Sequence, residues 1–131
     1  MGSHVPVPDT TDRIGKEVVD ACFKVHLALG PGLLESVYES CLVHELSRRG
    51  LKCARQVPVA IEYEDLRIEN GLRIDLLVED VVIVELKAVD EMNPIYEAQL
   101  LTYMKLAKKR LGYLVNFNSA LMKQGLKRMV L

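Results

Sequence analysis

The sequence predicts an α/β domain, a mixed β-sheet flanked by helices. Three observations carry that prediction. Apolar residues recur at helical spacing in two stretches near the N-terminus and again after Asn93. The segments between and after these stretches change period and are rich in Val, Ile and Leu. Half of the 131 residues are apolar, enough for a single core of two or three layers. Tryptophan is absent and aromatics are few, so aliphatic side chains must do most of the packing. No repeat, linker or low-complexity tract is visible. Residues 9–131 are therefore expected to form one domain behind a leading segment, 1–8, in which Met1–His4 reads as a tag remnant.

In chain order, Asp9, Thr10 or Thr11 is expected to cap a helix running to about Leu29, with Ile14, Val18, Cys22, Val25 and Leu29 at helical spacing. The Gly30-Pro31-Gly32 stretch stops it. A second helix is expected from about Leu34 to Arg49, with an apolar stripe of Leu34, Val37, Tyr38, Cys41, Leu42 and Leu46, and Gly50 as its stop. Lys52–Tyr63 reads as a strand, and Pro58 argues for an edge or a bulge. Glu69-Asn70-Gly71 reads as the turn into a second strand, Leu72–Glu79. A tight turn near Glu79-Asp80 leads to Val81–Val89, nearly continuously apolar, as in a strand covered on both faces. Asn93 caps a third helix with Pro94 at its first position, ending near Lys109. Gly112–Asn118 and Leu126–Leu131 read as the last strands.

Net charge is -1, but it is unevenly spread. From Met104 to the end stand Lys105, Lys108, Lys109, Arg110, Lys123, Lys127 and Arg128, without a single acid. Such an end can bind a polyanion locally. Taken alone, the charges slightly favour a solvated helix end, where cations suit the dipole. Cys22, Cys41 and Cys53 make an odd count without metal-ligand spacing, which fits a reducing cytoplasm better than a disulfide framework. No apolar run approaches the ~20 residues of a membrane span, and no signal peptide is visible. A cytoplasmic protein without a membrane partner is expected.

Charged residues inside the most apolar stretch are the unusual feature. Glu85 and Lys87 are two apart on one strand and share a face. If the preceding strand pairs through the Glu79-Asp80 turn, Asp75 lies level with Glu85. Two converging carboxylates repel each other, and a divalent cation removes the repulsion; hard oxygen ligands suit Mg²⁺ or Mn²⁺. The backbone carbonyl of Leu86 could supply a third oxygen. Lys87 would then polarise water or stabilise charge developing on a phosphate. The plainer alternative is an ion pair of Lys87 with Asp75 or Glu85. Glu35 opens the second helix, where an acid is explained equally by the helix dipole and by a role as further ligand. Gln99 and Tyr103, four apart, share a face with Ile95, Tyr96 and Leu106 that is expected to point inward. Spacing alone favours a satisfied core pair with the phenol reaching solvent. The functional alternative is that they orient water, Lys87 or a phosphate.

Together these residues resemble a known pattern. Asp75 followed by Glu85-Leu86-Lys87 is similar to the signature of the PD-(D/E)XK nuclease superfamily. Glu35 is similar to the acid on that superfamily's first core helix, and Gln99–Tyr103 resembles the Q-x-x-x-Y motif of its recombination-exonuclease branch. The order of elements is similar to its restriction-endonuclease-like α-β-β-β-α-β core, with an extra N-terminal helix. More closely, GPGLLESVYESCL, RIDLLVED, VIVELKAV, EAQLLTYMKL and the final blocks resemble the small prokaryotic GxxExxxY family, in order from about Asp12 onward. Here Gly32, Glu35 and Tyr38 are one residue closer than that name spells out, so Tyr38 is left out of the catalytic set.

The resemblance implies a metal-dependent phosphodiesterase acting on nucleic acid, DNA before RNA; with no aromatic-rich base-reading surface or helix-turn-helix evident in the sequence, selectivity for structure or ends is expected. Asp75, Glu85, Leu86 and Glu35 would hold Mg²⁺ or Mn²⁺. Lys87, Gln99 and Tyr103 would serve the chemistry, and the seven basic residues of the C-terminal part would hold phosphates. The rival reading is a non-catalytic module that binds nucleic acid or protein on the same fold. Either reading leaves room for a homodimer or a protein partner, because small chains of this type lack a separate specificity domain.

Overall fold

The computed structural model describes residues 5–131; the tag-remnant reading of Met1–His4 lies outside them. Helices α1 (Asp9–Leu29) and α2 (Glu35–Arg48) precede strands β1 (Cys53–Tyr63), β2 (Leu66–Val78) and β3 (Val82–Lys87). Helix α3 (Ile95–Ala107) crosses to β4 (Leu111–Asn116), and one turn of helix, α4 (Met122–Gly125), leads into β5 (Leu126–Val130). The five strands lie in the order β1-β2-β3-β4-β5. Only β3 and β4 are parallel, with α3 as their crossover; the other neighbours are antiparallel. The expected mixed sheet between helices is present. α4 is an addition that the sequence reading did not contain.

Two apolar clusters fill the two sides of the sheet. Val18, Cys22 and Val25 of α1 and Tyr38, Leu42 and Leu46 of α2 pack with Leu76, Val84 and Leu86 on one face. Leu100 and Met104 of α3 pack with Leu77, Ile83 and Leu114 on the other. β3 is buried from Val82 to Leu86, as expected for a strand covered on both sides. The guanidinium of Arg49 ties the two N-terminal helices together, reaching Glu17 and Asp20 of α1 at 2.8 Å each and Glu45 of α2 at 2.9 Å. All three cysteines are free, and burial pushes the Cys22 thiol up to about 12. No helix among the described residues is long and apolar enough to cross a membrane.

Several local expectations change. α1 has Pro8 at its N-cap and no side-chain cap, so Asp9, Thr10 and Thr11 do not cap it. Asp9 and Asp12 still complement the dipole from the first turn. Leu34 is the N-cap of α2 and is 73 % exposed, outside the apolar stripe assigned to it. The Glu69-Asn70-Gly71 segment is not a turn. β1 and β2 join at Glu64-Asp65, and Glu69–Gly71 lies within β2. Val59 pairs with Leu72 and Ile61 with Ile68, so β2 carries extra residues there. Asn70 has φ 56°, and a Cβ on Gly71 would stand 2.5 Å from Ile61. Asn-Gly supplies left-handed backbone to a bulge as readily as to a hairpin. Pro58 does sit on an edge strand next to that irregularity, as expected. Pro94, not Asn93, stands at the N-cap of α3, although Asn93 just before it accepts the Ile95 N–H through Oδ1 at 3.0 Å; Lys108 (φ 59°) ends the helix near the expected place.

Gly15 marks the closest approach of α1 to the sheet. Alanine there gains about 1 kcal/mol of helix propensity. Its Cβ, however, would stand 2.6 Å from the Tyr113 hydroxyl and 2.7 Å from Leu111 Cδ2, and both residues are buried. Overpacking of a closed site costs ~1–3 kcal/mol, so the clash wins. Gly15→Ala is expected to lower the urea midpoint; a midpoint at or above wild type would show that α1 can shift on β4.

Candidate active site where β2 and β3 part

The β2–β3 ladder pairs Val78 with Val82, Leu77 with Ile83 and Leu76 with Val84. One step further, the same register sets Asp75 opposite Glu85, as the turn at Glu79-Asp80 implied. There the backbone pairing ends and side chains take over. The Asp75 N–H donates to Glu85 Oε1 at 3.1 Å, and the Leu86 N–H donates to Asp75 Oδ2 at 2.9 Å. Parting strands leave backbone donors without ladder partners, and acceptor-only carboxylates satisfy them. The packing along β2 also changes sides here: Leu72 and Ile74 join the α3 cluster, whereas Leu76 and Val78 join the opposite one.

The pair is electrostatically loaded. Glu85 is 7 % exposed. Burial first, and then the neighbouring Asp75 carboxylate, push its carboxyl up to about 8; the Asp75 N–H and Lys87 oppose this. Ile83 belongs to the α3 cluster, so strand alternation puts Glu85 and Lys87 on the α3 side. Lys87 does not neutralise the acids by contact. Its Nζ lies 4.3 Å from the centroid of the Tyr96 ring, and among the described residues it makes no salt bridge. The ion-pair alternative is therefore not formed.

Glu35, at the first turn of α2, borders this pair. Its carboxyl is raised by desolvation and then by the charge of Asp75, while Lys87 lowers it. It is not drawn into contact range: among the described residues, no three His, Cys, Asp or Glu side chains gather closely enough to hold a metal. On α3, Gln99 Nε2 donates to Tyr103 Oη at 3.0 Å. This face is not the inward one expected, because Ile95 is 61 % exposed and the buried stripe is Leu100 and Met104. Gln99 is exposed and Tyr103 half-buried, and Tyr103 is pushed up by burial and by the Glu85 charge. They form a mutually satisfied pair at the mouth of the site. Tyr96, which carries Lys87, was not assigned a role from sequence. Its signal was its position three before Gln99 and seven before Tyr103, on the same stripe.

A second set of residues fixes the exit of β3. The Phe117 N–H donates to the Lys87 carbonyl at 3.0 Å. The buried Asn116 side chain accepts the Val89 N–H at 3.1 Å and donates to the Val89 carbonyl at 2.9 Å. A lone Asn in a strand gives no sequence sign of such a clamp.

The seven basic residues do not form one surface. Lys109 pairs with Asp80 at 3.4 Å, in the turn before β3, so the end of α3 lies at the far end of the strand from Glu85. Five residues of strand put that patch roughly 16 Å away. Lys105, Lys108 and Arg110 share this end of the chain's path, with Arg110 bonded to the Leu131 and Val5 carbonyls. Arg128 pairs with Asp12 of α1, and Lys123 is exposed on α4. Lys127 differs: Glu85 pairs with Leu114 and Leu114 with Lys127, so it shares the row of the acid pair, bridged to Glu97 at 3.4 Å.

The donor set fits a hard divalent cation. Two carboxylates, one raised toward neutrality by burial and then by the other, face each other near the Lys87 ammonium, which makes no salt bridge among the described residues. Mg²⁺ is commonly held by only one or two carboxylates and completes its shell with water, so a third protein acid is not required. Leu86 enters the site through its N–H.

A family model described as the PD-(D/E)XK nuclease superfamily matches residues 12–129. That match stands at the level of the superfamily and does not single out the narrower GxxExxxY group. No curated protein and no solved structure gives a match. Spanned from α1 to β5 by that family model, with the acid pair and lysine set out above, the chain belongs to the PD-(D/E)XK nuclease superfamily.

Proposed function

We propose that the chain is a metal-dependent nuclease that hydrolyses phosphodiester bonds in nucleic acid, with DNA as its favoured substrate. The observation that carries this reading is the Asp75–Glu85 pair, crowded at the parting of two strands, with Lys87 held nearby by an aromatic ring instead of by the acids. Asp75 and Glu85 would hold Mg²⁺ or Mn²⁺, with the Leu86 carbonyl as a third oxygen and Glu35 as a further ligand, direct or through water. When bound, the cation supplies Lewis acidity at the phosphate and acidifies a water. Lys87 places its ammonium where negative charge grows on the phosphoryl oxygens. Gln99 and Tyr103 orient water or phosphate from α3.

Lys127 is the phosphate contact nearest the chemistry. Lys105, Lys108, Lys109 and Arg110 provide an outlying contact along α3, with Lys123 and Arg128 at the periphery. A duplex reaching about 16 Å to that patch covers roughly five base pairs. Phosphate contacts place a substrate without reading its sequence, so selectivity is for structure or ends. A second copy or a protein partner would widen this small platform. The free cysteines suit a reducing, cytoplasmic setting.

With Mg²⁺ or Mn²⁺ and a panel of single-stranded, duplex and branched DNA, wild type is expected to cleave at least one substrate, and EDTA to stop it. Asp75→Asn, Glu85→Gln and Lys87→Met should each lower kcat by about 100-fold or more while circular dichroism stays native. Salt-sensitive DNA binding that ignores divalent ions, without cleavage, would replace this reading with that of a binding module.

The acid pair also predicts a pH effect in the metal-free protein. Glu85 sits near 8 in the folded chain against 4.5 as its ordinary value. Between those values the folded state holds a proton that the unfolded chain has lost, so stability falls as pH rises through the window. In EDTA, wild type is expected to melt lower at about pH 8 than at about pH 5.5, with the slope flattened in Glu85→Gln. Asp75→Asn should raise the melting temperature in EDTA at the higher pH. A fall instead would mean that the acids are stabilising partners and not a strained ligand pair.

A further inference from the structure

Tyr38 has no place in the chemistry above, yet it is among the most tightly held side chains in the molecule. It is fully buried, and its ring stacks on Phe117 with centroids 4.7 Å apart and planes 10° from parallel. Its hydroxyl donates to the Gly30 carbonyl at 2.6 Å and accepts the Leu33 N–H at 3.0 Å. Both partners lie in the connection between α1 and α2, which delivers Glu35.

Beyond the Gly30 N–H, which donates to the His26 carbonyl of α1 at 2.7 Å, that connection has little else to hold it in place. Gly30 (φ 72°) and Gly32 (φ 100°) adopt backbone that favours glycine, and a Cβ on either would touch nothing within 4 Å. Leu33 and Leu34 are 41 % and 73 % exposed, so apolar burial does not pin the turn. The phenol does, by bonding one residue at each end of it. The other side of the same ring reaches the opposite half of the site. Phe117, on which it stacks, donates its N–H to the Lys87 carbonyl at 3.0 Å. One buried side chain thus joins the turn that presents Glu35 to the strand end that presents Lys87.

The geometry points to Tyr38 as a positioning residue of the candidate metal site: its hydroxyl latches the Gly30–Leu33 turn and thereby sets where Glu35 stands relative to Asp75. This rests on the reading of Asp75, Glu85 and Glu35 as a metal site. Tyr38→Phe is the direct probe, because it keeps the buried ring and its stack and removes only the two hydrogen bonds to the turn.

The test is Mn²⁺ affinity, measured by electron paramagnetic resonance on wild type, Asp75→Asn, Glu35→Gln, Tyr38→Phe and the Glu35→Gln/Tyr38→Phe pair. Residues that orient metal ligands typically contribute 10–100-fold to affinity. Tyr38→Phe is expected to weaken Mn²⁺ binding by about tenfold, and to add nothing in the Glu35→Gln background, since a latch acts only through what it holds. Unchanged affinity in Tyr38→Phe, unchanged affinity in Glu35→Gln, or equal losses in both backgrounds would each overturn the latch while Asp75→Asn still abolishes binding. Mn²⁺ binding that is absent in wild type or indifferent to Asp75→Asn would overturn the metal reading itself, and the latch with it.

Discussion

Two backbone N–H groups at the point where β2 leaves β3 are satisfied by carboxylates instead of by carbonyls, and much of the molecule is arranged around that exchange. Asp75 and Glu85 each bond the opposite strand, which lets the strands part without orphaned donors. The same arrangement forces two acids together in a buried place. Such crowding is unfavourable for the chain alone and would be relieved by a cation, so on the proposed reading a local requirement of the backbone and one of the chemistry meet in the same atoms. Leu86, between Glu85 and Lys87, packs on the helical side opposite the site and anchors the strand that carries both.

The supporting structure brings groups to that point from three directions. α2 starts beside it with Glu35, α3 lies over it with Tyr96, Gln99 and Tyr103, and the end of β4 closes on it through Asn116 and Phe117. Lys87 gains from this division of labour. Parked on an aromatic face, its ammonium is kept near the acids without forming a salt bridge to them among the described residues, which is what the proposed role toward a phosphate requires.

Much of this was legible in the sequence, and the reasons for the rest are physical. Alternation along Val81–Val89 placed Glu85 with Lys87, and the tight turn at Glu79-Asp80 set the register that brings Asp75 level with Glu85. Both follow from the period of two, which a strand cannot evade. The Asn70-Gly71 signal misled because left-handed backbone serves bulges as well as hairpins. The face of α3 misled because Gln99 and Tyr103 satisfy each other and need no core partner. The basic C-terminal run looked continuous, but α3 and β5 send its members to different ends and faces of the sheet. Adjacency in a count of charges carries no information on where a crossover helix ends. Contacts between distant segments, such as Tyr38 with Phe117 or Asn116 with Val89, leave no local pattern to read.

The central claim is that the Asp75–Glu85 pair is a cation site. Anomalous diffraction from crystals soaked in Mn²⁺ tests it most directly. The account predicts a single strong peak between the two carboxylates on the side facing α3, with Lys87 close by but outside the coordination shell. No peak there at saturating Mn²⁺, with Asp75 and Glu85 still bonded only to the Leu86 and Asp75 N–H groups, would contradict it.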